Sequence, residues 1–248
     1  MLAVVGETDA GKSSFLGMLH TLLLRGHNLR EHTFAGSLTL LGWEKLALAL
    51  RFPKGQATDQ PPTPADPDYY RLLHWALRRP ADGRLLDVLF PDAAGEVFSQ
   101  WAVDEQDSNA ENVRWIYRHA DAFFFFVDCE ALAERRGAAV APLADLASRL
   151  AQGLRDRSVL VVWSKADKLA DVREAVKERM ARELTLVFGE VPHLYISKEL
   201  DAQPDPKQLA NLQAVDNLLS RIAQRRPTVP ELAPVGQQND FFLRYRGQ

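Results

Sequence analysis

Eight residues near the start, Gly6-Glu7-Thr8-Asp9-Ala10-Gly11-Lys12-Ser13, constrain this chain more than any other stretch. They fit the pattern GxxxxGK[ST]. A short apolar run, Leu2 to Val5, leads into Gly6, and from Lys12 a helical pattern begins, with Phe15, Leu19, Leu22 and Leu23 on one face and Gly26 as its stop. Glycines at these spacings let backbone N–H groups curl around phosphate oxygens, and the helix start favours negative charge there. The segment reads as a phosphate loop: Glu7, Thr8, Asp9, Ala10, Gly11 and Ser14 line the phosphates, and Lys12 sets a cation on the β and γ groups. The Ser13 hydroxyl is suited to ligate Mg²⁺. An ordinary glycine turn is the bland alternative, but the pattern arises by accident in roughly one per cent of chains this long. The strand before it and the helix after it make accident rarer still.

Strands and helices then alternate. Ala122 to Asp128 (AFFFFVD) and Ser158 to Trp163 are continuous apolar runs, as strands buried on both faces require. Tyr69 to Leu77 and Arg84 to Phe90 flank Arg79-Pro80-Ala81-Asp82-Gly83, a hairpin signal. Helical stripes run over Leu41 to Arg51, over Glu96 to His119 with a break at Asp104 to Ser108, and through Val140, Leu143, Ala147, Leu150 and Leu154. Two more follow: Val172 to Val187, and Leu209 to Ile222 after a short strand, His193 to Ile196. The expected fold is α/β, the three-layer α/β/α sandwich of P-loop nucleoside triphosphatases, its sheet mostly parallel with one antiparallel hairpin strand. Residues 1–226 are expected to form one nucleotide-binding domain, with 227–248 as a C-terminal tail.

Composition narrows the class. A chain of 248 residues, 46% apolar and 25% charged, has ordinary globular usage and can bury a core without staples. A net charge of −3 gives no global attraction to nucleic acid or an anionic membrane, so no nucleic-acid partner is expected. One cysteine, Cys129, excludes an internal disulfide framework and fits a reducing compartment. The N-terminus lacks a basic leader with a long apolar run, and Ala122 to Val127 falls far short of the about 20 residues that span a bilayer. These features lead to the expectation of a cytoplasmic protein without a membrane span. The six histidines show no paired ligand spacing, so no zinc site is expected.

Later motifs bear on which nucleotide the loop holds. Asp92-Ala93-Ala94-Gly95 is a DxxG at the end of a hairpin strand, where a carboxylate reaches Mg²⁺ through water and the Gly95 N–H meets a γ-phosphate. Ser164-Lys165-Ala166-Asp167 follows a buried strand. An Asp167 carboxylate can accept from both N1–H and the 2-amino group of guanine, a donor pair that adenine lacks. The Lys165 stem can cover the base while its charge stays solvated. Ser197-Lys198, after the last strand, is a weaker signal for a contact to guanine O6. In this order, GETDAGKS, a Pro/Thr-rich loop, DAAG, SKAD and SK resemble the motif series of TRAFAC-class (translation-factor-related and Ras-like) P-loop GTPases, over residues 1–222. The likeness is greatest to bacterial double-GTPase-like proteins.

That resemblance implies GTP/GDP and Mg²⁺ as ligands, with Ser13 and a loop threonine on the metal and Lys165 and Asp167 on the base. Thr63 and Thr58 are the loop candidates, Thr63 lying nearer the strand that follows. Glu96 stands where many relatives carry a water-orienting glutamine; a carboxylate accepts from water but donates no amide hydrogen bond, and it also suits the start of a helix. Lys12, Thr63, Gly95 and Glu96 are thus the catalytic candidates, and slow turnover is the expectation. Ser164 replaces the usual Asn or Thr, and Lys198 a small residue. A protein effector or complex partner is expected, and a nucleotide-dependent dimer is open. A P-loop kinase or ATPase and a non-hydrolysing GTP-binding subunit are the rival readings. Asp128 reads as a strand-end residue, Phe123 to Phe126 as core, and Arg135-Arg136 as a solvated helix end. The aromatic tail Phe241 to Arg246 either packs on the domain or anchors a partner.

Overall fold

The phenylalanines of AFFFFVD dictate the layering. In a strand, successive side chains point to opposite faces, so a continuous apolar run demands a dry surface on both sides. A computed structural model, describing residues 1–27, 29–50, 63, 71–197 and 206–224, has this arrangement. In chain order the elements are β1 (Leu2–Val5), α1 (Lys12–Leu24), β2 (Thr33–Gly36), α2 (Leu40–Leu50), β3 (Arg71–Arg78) and β4 (Leu85–Asp92). Then come α3 (Gly95–Val103), α4 (Glu111–His119), β5 (Ala122–Asp128), α5 (Cys129–Arg135), α6 (Gly137–Ala151), β6 (Ser158–Ser164), α7 (Glu174–Phe188), β7 (His193–Tyr195) and α8 (Pro206–Gln224).

Four parallel strands form one sheet in the order β1-β5-β6-β7. β5 is inside it, pairing Phe124 with Val4 on one side and with Leu160 on the other. Phe124 and Phe126 join Leu2, Val4, Leu160 and Val162 in a core covered by α1, α2 and α8. Phe123, Phe125 and Val127 join Ala3, Val5, Val159 and Val161 in a second core under α3, α4, α6 and α7. Each buried phenylalanine contributes about 2 kcal/mol of transfer free energy, and every one of the four is at most 1% exposed. The three-layer α/β/α architecture read from the sequence is the one observed.

The antiparallel part is larger than one hairpin. β3 and β4 pair antiparallel from Arg71↔Asp92 to Arg78↔Leu85, and β2 adds a third strand beside β3. β2 is four residues long, too short for its alternation to stand out in the sequence. β4 lies against β1, which brings the end of the hairpin to the phosphate loop. The hairpin is closed by a wide loop in which Arg79 N–H donates to Arg84 O (2.9 Å), rather than by a two-residue turn. The helix expected from Glu96 to His119 breaks where anticipated: α3 ends at Val103, and Asp107 caps a short 3₁₀ turn before α4. Among the described residues no helix is long and apolar enough to cross a membrane. The tail after Gln224 lies outside the described residues.

α8 is pinned to the α1–β2 connection by a buried polar contact. Asp216 accepts from Glu31 N–H (2.6 Å) and pairs with His32 Nδ1 (2.6 Å), and neither His32 nor Asp216 is more than 2% exposed. Removing the carboxylate leaves the Glu31 N–H and the buried His32 imidazole without their partner. Asp216→Ala is expected to cost about 3 kcal/mol, read as a lower urea midpoint with an unchanged slope.

Candidate functional site

All the motif residues on the parallel strands collect at one edge. β1 runs into Gly6, β5 ends in Asp128, β6 ends in Ser164, and Ser197 follows two residues after the end of β7. In open α/β sheets this carboxyl edge is where ligands bind.

At the phosphate end, the first loop glycine packs on the sheet: a Cβ on Gly6 would sit 2.8 Å from Phe126 Cβ. Gly11, the residue before α1, has φ +79°, which a side chain rarely adopts, and no side chain caps the helix. The first amides of α1 are therefore left to serve an anion. Lys12 Nζ donates to Gly6 O (2.9 Å) and Glu7 O (2.7 Å). Burial pushes its pKa down to about 8, against the upward pull of Asp9 and Glu7. Phe98 of α3 lies 5.9 Å from the same ammonium. Thr8 and Asp9 are exposed, and Ser13 and Ser14 half-buried.

Ser13 Oγ donates to Asp92 Oδ1 at 3.0 Å, joining the two oxygens that the sequence assigned to Mg²⁺. One carboxylate and one hydroxyl beside a phosphate loop suit Mg²⁺, which takes few protein oxygens and completes its shell with phosphates and water. Asp92 is buried, and Arg71, its register partner on β3, forms an ion pair with Oδ2. Gly95 begins α3 directly against the loop: a Cβ there would lie 2.1 Å from Thr8 N and 2.4 Å from Glu7 O. Only glycine permits so close an approach. Glu96 is exposed in the first turn of α3.

In the SKAD segment, read from the sequence as the base motif, Lys165 has φ +50° and its Nζ donates to Asp128 Oδ2 (2.9 Å) and Glu130 Oε2 (2.7 Å). Burial lowers its pKa, but these carboxylates outweigh it and the net shift is upward. This corrects the expectation of a solvated charge: the ammonium is paired, because β5 and β6 run in register, with Asp128 opposite Ser164. Asp128 is the strand-end residue expected, and it also caps α5 by accepting from Glu130 N–H and Ala131 N–H. Ser164 is buried and its Cβ would stand 3.5 Å from a Cβ on Gly11, so the base segment abuts the phosphate loop. Ala166 N–H donates to Ile196 O (2.8 Å), tying the base segment to the chain before Ser197. Asp167 is exposed and Ser197 half-buried.

Four participants escaped sequence reading. Arg71 on Asp92 was hidden because hairpin register cannot be read from a long connection. Asp128 and Glu130 on Lys165 needed the strand order. Arg135, at the end of α5, pairs with Glu7 Oε2 at 2.9 Å and is half-exposed, so it is a phosphate-loop contact rather than only a solvated helix end. Lys198 and Thr58 lie outside the described residues. Thr63 is half-buried.

The tight approach of α3 to the loop gives a direct test. Gly95→Ala drives a methyl group into backbone atoms that have little room to shift, so a loss of about 2 kcal/mol is expected. Thermal unfolding of the nucleotide-free protein measures it.

Residues 1–223 match the family model described as Double-GTPase 2. No curated protein matches the chain. Among solved structures, a mutation variant of SsGBP is similar at 14% identity and a TM-score of 0.43, covering 90% of this chain and 54% of that one. A GTP-binding protein from the hyperthermophilic archaeon Sulfolobus solfataricus, in complex with GDP, is similar at 13% identity and a TM-score of 0.38. That likeness covers 90% of this chain and 51% of the other, so the chain spans about half the length of these solved chains. Likeness at these values carries nothing about function. The family match is of another kind, running from the first strand into the last helix: the chain belongs to the Double-GTPase 2 family.

Proposed function

We propose that this chain is a GTP-binding switch that hydrolyses GTP slowly with Mg²⁺ and reports its nucleotide state to a protein partner. Family membership supports guanine-nucleotide binding. The observation that carries the finer reading is the 3.0 Å hydrogen bond between Ser13 and Asp92, which brings together the two oxygens this reading gives to the metal.

In this reading residues 1–226 form the nucleotide domain. Lys12 exchanges the carbonyls of Gly6 and Glu7 for the β and γ phosphates, with the amides of Glu7 to Ser14 around them. Ser13 and Asp92 would hold Mg²⁺, which would supply the positive charge that the transferring group needs. Thr63 or Thr58 closes the loop on it, and γ-phosphate loss releases that loop. The Gly95 N–H donates to the γ-phosphate. Glu96 offers water an acceptor but the phosphoryl group no donor, which makes turnover slow until a partner completes the site. Asp167 and the Lys165 stem select guanine, and Ser197 and Lys198 approach O6. Leu38, Leu41 and Leu48, 89%, 66% and 56% exposed, lie on and before the helix that leads into the threonine loop. An apolar surface there supports a protein partner, or a second copy, that senses the loop.

The test is a titration of Mg²⁺-GTP, GDP and ATP against the wild type and Asp167→Ala. GTP and GDP are expected to bind, ATP to bind at least a hundredfold more weakly, and Asp167→Ala to lose that preference. ATP binding equal to GTP with an indifferent mutant sinks the guanine reading and leaves a P-loop ATPase or kinase. Phosphate release followed in the same samples separates a slow GTPase from a subunit that binds without turnover.

Lys12 adds a pH signature. A bound polyphosphate favours the ammonium form, whereas the free protein loses that proton above about pH 8. Binding above this pH therefore takes up a proton. Affinity is expected to fall by up to about tenfold per pH unit above about 8 and to be flat just below. Calorimetry in two buffers of different ionisation enthalpy counts the proton.

A further inference from the structure

We infer that Arg71 is a resident cation that stands in for Mg²⁺ on Asp92 and is displaced from it when the metal–nucleotide complex binds. This inference rests on the Mg²⁺-nucleotide reading above.

The case begins with a buried charge. The Asp92 side chain is 0% exposed, and a carboxylate so placed needs a counter-charge. Its two oxygens divide the work. Oδ1 accepts from Ser13 Oγ, a neutral donor, and Oδ2 meets the guanidinium of Arg71. Lys12, the other cation nearby, is engaged with the carbonyls of Gly6 and Glu7. Among the described residues Arg71 is therefore the cation in contact with Asp92. The pairing follows from the backbone, since Arg71 and Asp92 are directly opposed in the β3–β4 ladder.

The same carboxylate, hydrogen-bonded to Ser13, is the acidic group to which the proposed function gives the metal. Among the described residues no three His, Cys, Asp or Glu side chains gather elsewhere. A guanidinium and a divalent cation drawn to one carboxylate repel each other strongly in a water-poor site. Arg71 thus stabilises the metal-free protein and opposes Mg²⁺. Its position gives the exchange an outlet. Arg71 is the first residue of β3, on the strand that follows the threonine loop, and its side chain is 28% exposed, so it has solvent to turn toward. Metal occupancy at Asp92 is read at the root of that loop.

The experiment follows a fluorescent GDP analogue binding to the full chain as free Mg²⁺ is varied, with EDTA as the zero point. Arg71→Gln keeps a hydrogen-bond donor and removes the charge; Arg71→Lys keeps the charge. In Arg71→Gln the half-saturating Mg²⁺ is expected to fall about tenfold, while Arg71→Lys stays near wild type. The melting temperature of Arg71→Gln should lie below wild type in EDTA and rejoin it in saturating Mg²⁺-GDP. An ion pair serving only the fold would lower melting without moving the Mg²⁺ midpoint, and that result overturns the inference. So does a midpoint that rises, or one that shifts equally in both variants. If Arg71→Gln is unfolded without metal, recovery of its circular dichroism with Mg²⁺-GDP, but not with GDP alone, carries the same claim; recovery with neither refutes it. A wild type that binds GDP equally with Mg²⁺ and EDTA is a distinct failure, since it removes the metal reading along with Arg71's part in it.

Discussion

The site depends on β5 being dry on both faces. Because Phe126 faces the α1 side, the chain leaving β1 must pass it with a glycine, and Gly6 does so at contact distance. Because Phe15 of α1 packs edge-on against Phe124 and Phe126, at 5.3 and 5.5 Å, the helix that follows the loop is anchored to the same strand. Entry to and exit from the phosphate loop are thus fixed on one row of rings. The loop's curvature is then a boundary condition rather than a choice, and Asp9 and Gly11 supply the left-handed backbone angles it requires, φ +59° and +79°. Edge-to-face ring pairs add about 1 kcal/mol each beyond burial, modest beside the geometric effect.

Each of the four cations around the site has its partner within the protein. Lys12 rests on loop carbonyls, Lys165 on Asp128 and Glu130, Arg71 on Asp92, and Arg135 on Glu7. No cation waits unpaired for a nucleotide at these four positions. Binding is then an exchange of partners, and its net free energy is a small difference between large terms. Lys12 and Lys165 illustrate opposite settings. One is buried among carbonyls with its pKa lowered, the other has carboxylates that raise it. On the roles proposed above, a phosphate ligand gains most from Lys12, and a neutral base asks little of Lys165 beyond its stem.

Much of this was legible in the sequence, and the reasons are local. A continuous apolar run can only be a strand with two covered faces, so β5 and β6 announced a buried parallel sheet, and GxxxxGK[ST] located the loop between strand and helix. The break between α3 and α4 showed in its cluster of Asp and Ser. What escaped depends on neighbours distant in sequence. β2 has four residues and no distinct alternation, Arg71 meets Asp92 only through hairpin register, and Lys165 meets Asp128 only once strands β5 and β6 are placed side by side. Spacing along one chain can name a carboxylate, but not the cation that faces it.

One short helix has a consequence for how the two ends of the site communicate. α5 has seven residues, about 10 Å of helix. It starts at Asp128 and Glu130, which grip Lys165, and ends at Arg135, which grips Glu7. A helix of this length has no cooperative reserve of its own and persists because its ends are tethered. The Lys165 segment and the Glu7 loop therefore share one local folding equilibrium. Slack introduced at either tether is felt as fraying at the other, so the two segments hang on a single strut instead of two independent anchors.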